Sequence, residues 1–88
     1  MEQAHPMVIE GTLDQHEAFQ QSFVWKDVQR ELLYWLEDAR NHLEIEKESS
    51  QISHLQGVCE AIRHVVELPQ LIIYQLRQPP RTMEIDHE

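Results

Sequence analysis

The sequence predicts an all-α fold: an antiparallel helical hairpin with a short third helix, completing a bundle by oligomerisation. Three observations carry this. Glycine and proline are sparse, two and four in 88 residues, and such thin punctuation favours a few long helices over many strands and turns. Apolar residues recur at helical spacing from Val24 to Leu43. They do so again from Ile52 to Val66, after a short polar connection.

Residues 1–11 read as an N-terminal arm. Pro6 and Gly11 flank Met7-Val8-Ile9, a short apolar segment positioned to lie against a core or a partner. The helical domain spans residues 12–77. Thr12 is a fitting N-cap, with Gln15 three residues on in the capping-box position.

From Val24 the helical signal is strong. At 100° per residue, Val24, Trp25, Val28, Leu32, Trp35, Leu36, Ala39 and Leu43 fall within about 120° of one another. Trp25 and Trp35 are both expected in the hairpin core. Asp27–Arg30, Glu37–Arg40 and Glu44–Lys47 are favourable i,i+3 pairs. A helix from Phe23 to Lys47 is roughly 38 Å long. Phe19 and Phe23 fall on the opposite side of this wheel. Either the helix begins near Ser22 and residues 13–20 form a separate turn, or the two aromatics make a second sticky face; the phase favours a break near Gln20–Ser22.

Glu48-Ser49-Ser50 is the expected turn, because serine competes for backbone hydrogen bonds and favours caps. The second helix, about Ser50 to Glu67, places Ile52, Leu55, Val58, Cys59, Ile62, Val65 and Val66 on one side. A connection this short makes it antiparallel to the first. Pro69 is expected to stop it and open a short third helix over Gln70 to Arg77, with a strand as the alternative because Leu71-Ile72-Ile73-Tyr74 alone does not decide the period. Pro79-Pro80 then leads a Pro-containing acidic tail, residues 78–88.

Composition bounds function. Acids outnumber Lys and Arg by 16 to 7, a formal net charge of −9, which argues against binding a nucleic-acid backbone or an anionic membrane surface. Residues 1–48 hold most of the excess. No apolar run is long enough to span a bilayer. The lone Cys59 and an N-terminus without a basic start or apolar run point to the cytoplasm.

Six histidines and one cysteine raise the question of a metal. Structural zinc takes four ligands at tight paired spacings, whereas His54 and Cys59 are five apart and diverge on a helix. Cys59 falls on the apolar stripe, where cysteine serves as a small hydrophobe. Gly-rich phosphate loops, nucleophile elbows and His-Glu-x-x-His patterns are all missing from the string. The reading is therefore of a non-enzymatic protein without cofactor or metal.

The apolar surplus is more telling. Leu33 and Tyr34 lie off the main stripe, and with Phe19, Phe23 and Tyr74 they exceed what a two-helix hairpin covers. Gly57 and Ala61 form a small-x3-small pair that lets another backbone approach closely. These seven residues are the candidate partner-binding set, and a homodimer closing a four-helix bundle is the simplest cover.

The pattern Phe23-Val24-Trp25-Lys26, the amphipathic run to Leu43, then Leu55-Gln56-Gly57-Val58-Cys59-Glu60-Ala61-Ile62 and Leu68-Pro69, resembles small helical-hairpin proteins encoded by tailed bacteriophages. The resemblance covers about residues 19–76. It implies a structural or adaptor role, such as a virion or assembly component, acting in the bacterial host cytoplasm or the virion. An alternative from charge is an acidic inhibitor that occupies the basic site of a nucleic-acid-binding protein through first-helix carboxylates.

Overall fold

The computed structural model describes residues 6–78. Three helices account for most of them: α1 (Leu13–Gln21), α2 (Phe23–Ile45) and α3 (Ser49–Arg77), and no strand occurs among the described residues. The fold is all-α. No helix of the described residues is long and apolar enough to cross a membrane.

The starts of α1 and α2 each have a local cause, whereas α3 begins after Glu48 with no side-chain cap. The Thr12 hydroxyl accepts from Gln15 N at 3.1 Å, and Gln15 Oε1 accepts from Thr12 N at 2.9 Å, the full capping box expected from the sequence. The break between α1 and α2 falls on Ser22, whose extended backbone serves as C-cap of one helix and N-cap of the next. Its Oγ donates to the Phe19 carbonyl at 2.6 Å and accepts from Trp25 N at 3.1 Å. One hydroxyl thus satisfies orphan groups of two helix ends. Residues 13–20, read from the sequence as a separate turn, are helical and belong to α1.

Two boundaries differ from the sequence reading. The α2–α3 connection is Glu46–Glu48, and Ser49 and Ser50 already belong to α3. The short helix expected over Gln70–Arg77 is not separate: α3 runs unbroken through Pro69, so the short helix of the trio is α1. Pro69 has no N–H to give Val65 and costs roughly 3 kcal/mol inside a helix. Packing outweighs that. Ile62, Val66, Pro69 and Ile73 keep one helical phase across the proline, and Pro69 and Ile73 are both buried, Ile73 to 2% exposure.

α2 and α3 form the antiparallel hairpin. Trp25 near the start of α2 faces Pro69 late in α3, while Leu43 near its end faces Cys59. Leu36, Ala39, Cys59 and Ile62 make the central core, flanked by Leu32, Val58 and Val66. Buried Cys59 thus packs as a small hydrophobe. α1 lies against the C-terminal part of α3. Gln20 Nε2 donates to Gln70 Oε1 at 2.8 Å, and Glu17 pairs with Arg77. Phe19 stacks on Trp25 with ring centroids 5.6 Å apart, tying α1 to the start of α2.

Candidate functional site

The core is small for the apolar load. Thirteen large hydrophobics among the described residues remain exposed, whereas only Trp25, Leu36, Ile62 and Ile73 of that size are buried. The question is where that surface is contiguous.

On α2 the core residues Trp25, Leu32, Leu36, Ala39 and Leu43 centre the face turned to α3. Val24, Val28 and Trp35 lie about 80° to one side of that centre, and they are 67%, 46% and 51% exposed. Arg40 and Glu44 leave the seam on the other side, where they meet Gln56, Glu60 and Arg63 of α3 in a polar groove. One broad face of the hairpin is therefore mixed and charged, and the opposite one carries an apolar row about 16 Å long on α2.

This corrects the sequence reading of Trp35, which was expected in the core. The stripe spans about 120°, wider than one neighbouring helix covers, and α3 takes only the half centred on Leu36. Trp35 falls on the uncovered half. Its indole N–H is nevertheless satisfied: Nε1 donates to Glu31 Oε2 at 2.9 Å. The i,i+4 bond fixes the ring while leaving it half open to solvent. Val24 and Val28 were assigned to the core stripe for the same reason and are likewise open. The stripe's excess width was the available signal.

The seven residues singled out in the sequence do not form one patch. Phe23 is 84% exposed, and Tyr34, Leu33 and Tyr74 are also exposed. Phe23 and Tyr34 share the outer side of α2, turned away from α3, while Leu33 lies on the flank that carries Arg40. Phe19 is partly consumed by its stack on Trp25. Gly57 and Ala61 are exposed on α3, and a Cβ added at Gly57 would meet nothing within 4 Å. Among the described residues no backbone uses the small pair.

A second apolar feature is internal to the fold. Phe19 and His16 of α1, Trp25 of α2, and Val65, Leu68 and Ile72 of α3 line a groove of about 530 Å³. Leu68 and Ile72 also face the N-terminal arm, where Met7 and Ile9 are half-buried and Val8 points out. This period-two alternation is that of an extended segment laid on an apolar surface. Residues 1–5 of the arm and 79–88 of the tail lie outside the described residues.

The polar chemistry is dispersed. Asp27 pairs with Arg30 at 3.1 Å, as its i,i+3 spacing predicts, and Asp38 approaches His42 at 3.8 Å. Among the described residues no three His, Cys, Asp or Glu side chains converge as a metal site would require. Compared with family models, with curated proteins and with solved structures, the chain matches none of them.

Proposed function

We propose that this chain is a non-enzymatic protein-interaction module that docks through the Val24–Val28–Trp35 row of α2. The exposure of that row on a rigid helix is the observation that carries the reading. A capped, hydrogen-bonded helix loses little freedom when its surface is covered, so burial there translates into association. Covering the open parts of the three side chains is worth on the order of 5 kcal/mol at about 25 cal/mol per Å². A second copy, or a different protein, is the class of occupant.

A structural or adaptor role, such as a phage virion or assembly component, agrees with the resemblance of residues 19–76 to small phage hairpin proteins. The phosphate-mimic alternative finds less support in the geometry. Arg40 and Arg63 interleave with Glu44 and Glu60 on the groove face, which breaks up the single-sign surface that mimicry of a nucleic-acid backbone needs.

The test is a charge placed on the row. Val28→Glu should abolish association of the full chain with a second copy or with its partner protein, read by light scattering and cross-linking, while leaving the helical circular dichroism unchanged. Glu60→Lys on the opposite face should leave association intact. Association unaffected by Val28→Glu would overturn the reading.

A further inference from the structure

The chemistry of the partner is written on the border of the apolar row. Glu31, Asp38 and Asp27 lie about 40–80° outside it on the side away from α3, so an acidic rim runs along the free edge. The other edge is the hairpin seam, already occupied by α3. A ligand that covers Val24, Val28 and Trp35 must therefore lie against carboxylates on its outer side.

Two of those carboxylates have nitrogen partners in the chain, the Arg30 guanidinium for Asp27 and the His42 imidazole for Asp38. Glu31 instead accepts from the neutral indole N–H of Trp35, and that bond leaves its charge in place. The indole polar atom is used up, so the ring offers only its faces and edge. A half-open indole hydrogen-bonded to an exposed carboxylate is suited to receive a cation, because the ring face attracts a guanidinium and the carboxylate accepts its hydrogen bonds.

Resting on the reading of α2 as the docking face, we infer that the partner segment is an amphipathic helix with an apolar stripe flanked by arginines, one of which stacks on Trp35 and pairs with Glu31. The row matches about three turns of such a helix. A second copy of this chain fits less well, because an antiparallel α2–α2 contact sets the two acidic rims against each other, and either orientation brings together two chains of net charge −9. Salt separates the two cases. It weakens a complex with a basic helix and strengthens a like-charged self-complex.

The experiment titrates the full chain with two synthetic helical peptides of about 15 residues, sharing one leucine stripe and flanked by arginines in one and glutamates in the other. Calorimetry reads affinity, and the Trp35 Nε1–H resonance reports the site. The arginine peptide should bind at least about tenfold more tightly than the glutamate peptide. Its affinity should fall several-fold between about 50 and about 300 mM salt. Glu31→Gln should shrink the preference to about threefold or less, and Trp35→Ala should weaken binding of the arginine peptide, with circular dichroism confirming the fold of each variant. Equal binding of the two peptides, no binding of either, or retention of the full preference in Glu31→Gln would overturn the inference. Self-association that Val28→Glu abolishes, with no arginine preference, would overturn it while leaving the docking face itself standing.

Discussion

Phe19 and Trp25 hold their ring centroids 5.6 Å apart at an interplanar angle of 39°, bridging the chain break at Ser22. Phe19 is the last apolar residue before the break and Trp25 is the first buried residue after it. The pair therefore joins the Gln20–Gln70 and Glu17–Arg77 contacts in setting α1 against the hairpin. A double-mutant cycle on Phe19→Leu and Trp25→Leu, read by urea unfolding, should give a coupling of about 1 kcal/mol. Additive effects would mean that α1 is held by α3 alone.

Ser22 satisfies both helix ends at once. Ser22→Ala should cost about 1–2 kcal/mol, more than Thr12→Ala, because Thr12 caps only the terminal helix. Ser22→Asp should recover the α2 cap but not the bond given to the Phe19 carbonyl, since an ionised carboxylate only accepts. Urea midpoints of the three variants check this ordering.

Pro69 is a helix-interior proline kept in place by burial. Pro69→Ala restores a donor for the Val65 carbonyl, a gain of up to about 3 kcal/mol, and gives up two buried methylenes worth about 1.6 kcal/mol. A net stabilisation of about 1 kcal/mol is expected in the thermal or urea transition. A clear loss would show that the pyrrolidine ring contributes more to the core than its area suggests.

Gly57 lies mid-helix with open space where a Cβ would be. Gly57→Ala should raise stability by about 1 kcal/mol and leave association through α2 unchanged. If the variant is more stable yet fails to associate, the close-contact point belongs to the outer side of α3, where the sequence pattern of Gly57 and Ala61 first placed it.

Much of the fold was legible from residue spacing. The capping box at Thr12, the break at Ser22 and the two stripes of the hairpin each rest on local chemistry that a string displays. Pro69 misled because its intrinsic propensity is read locally, whereas its retention in α3 depends on the phase shared by Ile62, Val66 and Ile73 across it. Trp35 misled for a related reason. A helical wheel gives phase, not coverage, and whether one helix or two will cover a 120° stripe is a tertiary fact. The same limit hid Val24 and Val28, which define the candidate face better than Leu33 or Tyr34. Glu31 drew no notice in the sequence, because an i,i+4 Glu–Trp bond carries no signature until the indole is known to be exposed.

The most direct test of the docking face is site-specific photo-cross-linking of the full chain in the cells that make it. A photoreactive phenylalanine analogue replaces Val28 in one sample and Glu60 in another. Discrete protein adducts, to a partner or to a second copy, should form from position 28 and not from position 60. Equal adducts from both positions, or none from position 28, would contradict the account.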